Sequence, residues 1–313
     1  MANTSAARTA RIFIDGEAGT TGLEIRERLA GMRGIELKSI APERRKDAGA
    51  RAELMRAVDL VVLCLPDDAA KEAVALADAM GGAAPRIVDA STAHRVADGW
   101  TYGFSEMAAE QHGAIAKARR VTNPGCYPTG AIALLRPLID AGLMPADYPV
   151  TVNAVSGYSG GGKAMIAAYE VEKNAPAFEL YGLGLEHKHV PEIQKYAGLA
   201  RRPIFVPSVG NFRQGMLVSV PLHLDTLSGK PKLADIEAVL AKRYAGSEQV
   251  SVLSADTLKG RIAAETLAGR DEMQLAVFGN ETLRQAVLVA RLDNLGKGAS
   301  GAAVQNIRLM LGL

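Results

Sequence analysis

Cys126 stands in the run Asn123-Pro124-Gly125-Cys126-Tyr127-Pro128-Thr129-Gly130, where the residue types place a thiol at a turn that opens into a helix. Asn-Pro-Gly forces the turn, and Ile132, Leu134, Leu135, Leu138 and Ile139 mark an apolar helix entered through Pro128. The first N–H groups of a helix carry partial positive charge, which favours thiolate, the form of sulfur that attacks carbon. A buried structural cysteine is the competing reading, and the flanking turn chemistry favours the nucleophile.

A thiolate of this kind needs an acid/base partner. His187 and His189, in Leu185-Glu186-His187-Lys188-His189-Val190-Pro191-Glu192-Ile193, fall on one side of an extended segment. An imidazole can take the thiol proton and later deliver or withdraw a proton at the substrate oxygen. The same pair with Cys126 could also ligate zinc, but no Cys-x-x-Cys pattern supports a metal, and none is expected. Spacing alone does not separate His187 from His189.

Two further segments could hold an anionic or carbonyl-bearing substrate. Ser156-Gly157-Tyr158-Ser159-Gly160-Gly161-Gly162-Lys163 is a glycine loop ending in a cation, and it is not a Walker loop because Ala164 follows the lysine. Arg213, between Gly210 and Gly215, is placed for a guanidinium to clamp carboxylate or phosphate.

The elements that must position these groups divide the chain. With 313 residues, two domains are expected. Near the start, Arg11-Ile12-Phe13-Ile14-Asp15 reads as a strand, Gly16, Gly19 and Gly22 as a glycine loop, and Leu23, Ile25 and Leu29 as the face of a helix. Backbone N–H groups in such a loop, with Thr20 and Thr21 at the helix start, can approach a pyrophosphate. Further apolar runs at 35–40, 60–65 and 87–90 alternate with helical stretches, which implies a Rossmann-type, doubly wound parallel sheet. The second strand ends in Lys38-Ser39-Ile40 with no acid for a ribose hydroxyl, and Arg44-Arg45-Lys46 follows, so NADP(H) is favoured over NAD. Pro66 and Ser91 close later strands at the ligand-binding edge, whereas His94 reads as structural or cofactor-adjacent. Beyond residue 124, longer alternating strands at 150–156 and 216–222 indicate an α+β catalytic and oligomerisation domain. Asp293-Asn294-Leu295-Gly296-Lys297-Gly298-Ala299-Ser300-Gly301 then precedes a closing helix with Ala303, Val304, Ile307 and Leu311 on one side. Its small residues are expected to pack against the dinucleotide domain or bound nicotinamide. The expected boundaries are 1–123 for the dinucleotide domain, with 297–313 packing back on it, and 124–296 for the second domain.

Net charge is +2 and there are two cysteines, one of them Cys64 within an apolar strand. No basic stripe points to nucleic acid. The longest apolar run, 60–65, is too short for a membrane span. The first ten residues read as a frayed tail and not a signal peptide, so a cytoplasmic location with reduced thiols is expected.

Taken together, the opening Phe13 to Gly22, the Asn123 to Thr129 run, Ser156 to Gly160, His187 to Ile193 and Asp293 to Ala299, in this order, resemble the N-acetyl-γ-glutamyl-phosphate reductase family in its shorter branch, within the semialdehyde dehydrogenases. The glycine loop departs from the Gly-Ala-Ser-Gly-Tyr form of the longer branch. The resemblance implies reduction of an acyl phosphate to an aldehyde with NADP(H) and release of inorganic phosphate, in arginine biosynthesis, by a homodimer or homotetramer. It places the nucleophile on Cys126 and the acid/base on His187. It also puts Tyr181 beside the site. Lys163, Arg213, Ser156 and His189 are expected toward substrate. Gly16, Gly19, Thr20, Thr21, Gly22, Ser39, Arg44, Arg45, Pro66, Ser91, Ser159, Gly160 and Asn294 are expected toward cofactor. An aspartate- or aminoadipate-semialdehyde dehydrogenase, and an NADP-binding redox regulator with Cys126 as its switch, are the alternatives.

Overall fold

The structure, a computed structural model, describes residues 9–313. The expected tail therefore lies outside the described residues except at its end, where Ala10 already pairs with Ile35 in the first sheet.

Alternating strands and helices open the chain: β1 (Ala10–Asp15), α1 (Thr20–Leu29), β2 (Ile35–Lys38), α2 (Ala48–Arg56), β3 (Leu60–Leu63), α3 (Asp67–Asp78), β4 (Arg86–Asp89), β5 (Thr101–Tyr102), α4 (Gln111–Lys117) and β6 (Arg120–Thr122). There follow α5 (Cys126–Asp140), β7 (Thr151–Gly157), α6 (Gly162–Glu170), β8 (Phe178–Leu180), α7 (Val190–Ala197), β9 (Ile204–Gly210), β10 (Met216–His223), α8 (Leu233–Arg243), β11 (Val250–Leu253), α9 (Ala255–Leu258), β12 (Met273–Asn280), β13 (Gln285–Leu292) and α10 (Gly301–Leu311). Two compact units result. One holds the described residues up to Gly103 with His112–Asn123 and Ala303–Leu313, and the other holds Phe104–Gln111 and Pro124–Ala302.

In the first unit the sheet order is β2-β1-β3-β4-β6-β5, with every neighbour parallel. Strand side chains alternate between faces, and here both faces are covered. Ile12, Ile14, Leu60, Val62 and Val88 pack with Ile25 and Leu29 of α1 and with Ala303, Ile307 and Met310 of α10. Phe13, Val61, Leu63 and Ile87 pack on the other side with Met55 of α2 and Ala70, Ala73 and Val74 of α3. Met310 joins Ala303 and Ile307 in this core, and the expected Val304 and Leu311 pack against it partly buried. Chain order reverses between β1 and β3, so the loops after these strands flank the crevice where doubly wound sheets bind ligands. Strands β2 and β3 end two residues before the apolar runs do, at Lys38 and Leu63.

The second unit holds a mixed sheet, β11-β12-β13-β10-β7-β9-β8. One face carries α5, whose residues 127–135 are all buried. Gly130 lets that helix lie close, since a Cβ there would stand 2.8 Å from Cγ2 of Val218. Because Val218 faces α5, its neighbours Leu217 and Ser219 face the opposite side, in register with Val155 and Arg291 and with Asn153 and Val289.

Candidate active site

Helix α5 begins at Cys126 itself, two residues before the Pro128 start expected from the sequence, with Gly125 as its N-cap and no capping side chain. Pro128 is thus in the first turn, where its missing N–H costs nothing. The N–H of Gly125 donates to Oε1 of Glu192 at 2.7 Å, and Glu192 is fully buried on α7. A Cβ on Gly298 would stand 2.9 Å from Cβ of Cys126, so the Gly296–Ser300 turn lies directly on the thiol-bearing residue. These glycines close on their own unit: Gly298 on Cys126, Gly296 on the carbonyl of Arg270, and Gly301 on Asp271. The close backbone packing expected of these glycines is thus made within their own unit, while Ala303 joins the core of the first unit.

Around this helix start lies an aromatic and imidazole cluster. The Tyr181 hydroxyl donates to that of Tyr127 at 3.2 Å, and Tyr127 donates to the carbonyl of Ser208 at 2.9 Å. Burial pushes the Tyr127 hydroxyl far above its ordinary range, with Tyr181 and then Cys126 adding to the rise. Burial likewise pushes Tyr181 up to about 12, against the hydrogen bond with Tyr127 and with Cys126 adding to it. Both phenols therefore stay protonated near the sulfur and serve as donors. The His187 ring lies 5.7 Å from Tyr181, 6.1 Å from Tyr127 and 4.7 Å from His189, centre to centre. Nδ1 of His187 accepts the backbone N–H of His189 at 3.1 Å, which leaves Nε2 to carry its exchangeable proton. His187 is half-buried, whereas His189 is buried. That difference in exposure separates two histidines that spacing could not.

The glycine loop after β7 is pinned to the turn that carries Arg213. Gly157, Tyr158 and Ser159 donate backbone N–H groups to the carbonyls of Gly215, Phe212 and Arg213 at 2.9, 2.9 and 3.1 Å. Ser159 accepts from Asn294 Nδ2 at 2.9 Å, and Gly160 lies against the Ser156 hydroxyl and Asn294. Ser156, Ser159 and Asn294 thus form one buried knot in the second unit, with Gly160 exposed against it. Arg213 and Lys163 are exposed at its rim, where Arg213 pairs with Glu170, which also accepts from the Tyr158 hydroxyl at 3.1 Å.

In the first unit, Gly16 turns the chain after β1 with φ of 95°, and a Cβ there would stand 2.2 Å from the carbonyl oxygen of Cys64. Gly22 is equally tight, 2.3 Å from the carbonyl of Gly16, and Gly19 caps α1 with no side chain on the first-turn N–H groups. Thr20 and Thr21 open that helix. A cradle of this shape fits a dinucleotide pyrophosphate. Arg45 reaches Glu17 at 3.5 Å, but Arg44 turns to Asp47 and Glu53 instead. Pro66 caps α3. Ser91 is held by Asp89, as is His94 at 2.6 Å, which also stacks on Trp100. Cys64 is partly buried, and burial, then Asp89 and Asp15, pushes its thiol up to about 12, which disfavours the thiolate at neutral pH. Among the described residues no three of His, Cys, Asp and Glu cluster as a metal site, and no helix is long and apolar enough to cross a membrane.

Comparison with known proteins bears on the family and the fold. Residues 11–115 match the semialdehyde dehydrogenase NAD-binding domain, and residues 126–294 match the semialdehyde dehydrogenase dimerisation domain. The chain is 59% identical over 309 residues to an N-acetyl-γ-glutamyl-phosphate reductase of Brucella ovis, covering 96% of this chain and 99% of that one. It is equally similar to the protein so named from Brucella melitensis, with the same coverage. The chain belongs to the N-acetyl-γ-glutamyl-phosphate reductase family. Among solved structures, aspartate semialdehyde dehydrogenase II of Vibrio cholerae shares the fold, with a TM-score of 0.71 and 16% identity over 97% of this chain and 99% of that one. Aspartate semialdehyde dehydrogenase with NADP from Candida albicans does so with a TM-score of 0.63 and 14% identity, over 96% and 98%.

Several residues that shape this reductase-family site carry no local signal in sequence. Glu192 follows Pro191 in the first turn of α7 and looks like an ordinary helix-start acid. Tyr127 lies beside the thiol yet reads as one more apolar position of α5. Arg26 sits in a charged stretch of α1, and only the structure brings it to Ser39.

Proposed function

We propose that this chain reduces N-acetyl-γ-glutamyl phosphate to N-acetylglutamate 5-semialdehyde with NADPH, releasing phosphate through a thioester on Cys126. What carries this reading is Cys126 as the first residue of α5 beside the Tyr127, Tyr181 and His187 cluster. The names of relatives at 59% identity supply the acyl group.

The thiol proton passes to Nδ1 of His187, which gives up the hydrogen bond from His189 as it takes it, and the helix start favours the thiolate. The sulfur attacks the acyl phosphate carbon, the C–O bond to phosphate breaks, and phosphate leaves with its electron pair. First-turn N–H donors of Cys126 and Tyr127, Pro128 having none, hold the tetrahedral oxyanion. NADPH held at the Gly16–Gly22 loop supplies the hydride. Protonated His187 then donates to the oxygen of the hemithioacetal and takes that proton back as the carbon–sulfur bond breaks, freeing aldehyde and thiolate. Lys163 and Arg213 bind carboxylate or phosphate at the rim, with Ser156 and His189 lining the inner side. Ser159, Gly160 and Asn294 serve the nicotinamide end, whereas Ser39 and Arg45 serve the adenosine 2′-phosphate and Pro66 and Ser91 line the strand edge. The same reading places the enzyme in the cytoplasm, in arginine biosynthesis. It makes a homo-oligomer through the sheet face opposite α5, where Val155, Leu217 and Val287 remain partly exposed.

The test is the reverse reaction, phosphate-dependent reduction of NADP by N-acetylglutamate semialdehyde, run beside aspartate semialdehyde. Turnover that disappears in Cys126→Ser while NADPH binding persists is the expected result. Preference for aspartate semialdehyde, or turnover without phosphate, overturns it.

A further inference from the structure

The glycine loop of the first unit carries a carboxylate in an unusual place. Glu17 directly follows Gly16, its side chain is 11% exposed, and three donors converge on it. The Ser39 hydroxyl donates to Oε2 at 2.9 Å, Arg45 Nη2 reaches Oε1 at 3.5 Å, and Arg26 Nη1 pairs with Oε2. Arg26 Nη1 also lies 2.6 Å from the Ser39 oxygen. Two guanidinium groups and a hydroxyl around one acceptor make a built anion site at the end of β2, where a dinucleotide places its adenosine ribose. The nearby Lys38 is engaged elsewhere, with Glu36 at 2.6 Å.

We propose that Arg26, Ser39 and Arg45 seat the 2′-phosphate of NADP(H), and that the carboxylate of Glu17 competes with that phosphate for the same donors, setting how tightly the cofactor binds and how strongly it is preferred over NAD(H). This rests on the NADPH reading given above. Ser39 has one hydroxyl proton, which serves Glu17 or the phosphate but not both. A carboxylate left beside a phosphate of nearly two negative charges is repelled. Glu17 is then a specificity-determining residue acting against the cofactor that the arginines attract. An acid near the end of the second strand has an opposite possible role, accepting a hydrogen bond from the free ribose hydroxyl of NAD.

Calorimetric titration of the full chain with 2′,5′-ADP and with 5′-AMP, which lacks only the 2′-phosphate, separates these, with melting curves confirming that each variant is folded. Glu17→Gln should tighten 2′,5′-ADP by about tenfold and leave 5′-AMP within about twofold, because only the like-charge contact is removed. Arg26→Gln, an independent arm, should weaken 2′,5′-ADP by about tenfold and spare 5′-AMP, through loss of one guanidinium–phosphate contact. Unchanged or weaker 2′,5′-ADP binding by folded Glu17→Gln overturns the competition, and a matching loss for 5′-AMP would make Glu17 a reader of the ribose hydroxyl. No effect of Arg26→Gln overturns the seat. A wild-type chain that binds both nucleotides equally overturns the NADPH reading, and this proposal with it; a clear wild-type preference unmoved by Glu17→Gln overturns only the role of Glu17.

Discussion

The buried carboxylate of Glu192 accepts the backbone N–H of Gly125 at 2.7 Å, so a residue of α7 fixes the N-cap of the helix that begins with Cys126. The N–H of an N-cap residue is ordinarily accepted by a Glu or Gln at the third helical position, which here is Pro128. Here the contact spans 67 positions of sequence and ties the start of α5 at Cys126 to the helix that follows the two histidines.

Removing that acceptor should misplace the thiol before it unfolds the protein. Glu192→Ala leaves the Gly125 N–H without its acceptor and is expected to cost about 1 to 3 kcal/mol in urea unfolding. It should also lower kcat by well over tenfold, with a smaller change in KM. Glu192→Gln retains a carbonyl oxygen and should recover much of kcat. If both variants lose stability yet keep kcat, Glu192 supports only the fold.

Gly298 makes a second demand on the same residue. An added Cβ would stand 2.9 Å from both Cβ of Cys126 and the carbonyl oxygen of Asp293, so Gly298→Ala must push the thiol-bearing turn aside. Overpacking of this size costs about 1 to 3 kcal/mol. The informative measurement is the rate of alkylation of Cys126 alongside NADPH affinity. A drop in the first with the second preserved is expected, and unchanged alkylation would mean the turn yields without moving the sulfur.

These relationships mark where sequence is legible and where it is not. The place of Cys126 is written in its neighbours, because Asn-Pro-Gly and an early Pro constrain the backbone locally. The first sheet is equally readable, since Ile12, Val61 and Val88 lie in apolar runs bounded by turn residues. The partners of those elements are not local. Glu192 and Gly298 reach the thiol only through tertiary folding, and Arg26 is indistinguishable in sequence from Glu24, Glu27 and Arg28 on the same helix. Arg44 and Arg45 are adjacent in sequence, yet the turn at 42–44 sends one to Asp47 and Glu53 and the other to Glu17. No residue-level pattern separates them.

The two cysteines should differ sharply in chemistry. Cys64 is partly buried and its thiol is held at about 12 against an ordinary 9.0. Iodoacetamide at pH 7.5 should therefore label Cys126 alone, as read by peptide mass spectrometry. The same shift has a stability consequence. An acid whose folded pKa is raised stabilises fully below its unfolded value and loses that contribution as pH rises through the window from 9.0 to about 12. Cys64→Ala should flatten the decline in melting temperature across that window relative to wild type. An equally steep decline would assign it to other groups.

Lys297 gives the sharpest stability test. Its ammonium is buried, 1% exposed, and donates to both oxygens of Glu106 at 2.9 and 2.8 Å and to Oε1 of Gln249 at 2.8 Å. Burial pulls its pKa down, and Glu106 and then Asp271 hold it up, so the pair exists because each charge requires the other. Breaking one side strands the carboxylate: Lys297→Met should cost about 3 to 5 kcal/mol, as removal of one partner of a buried ion pair does. Combining it with Glu106→Gln removes the stranded charge and should restore a large part of that loss, so the double variant is more stable than Lys297→Met alone. Chemical unfolding of the wild type, both single variants and the double variant measures the coupling directly. Additive losses would show that the two side chains stabilise their surroundings independently, in spite of the geometry that joins them.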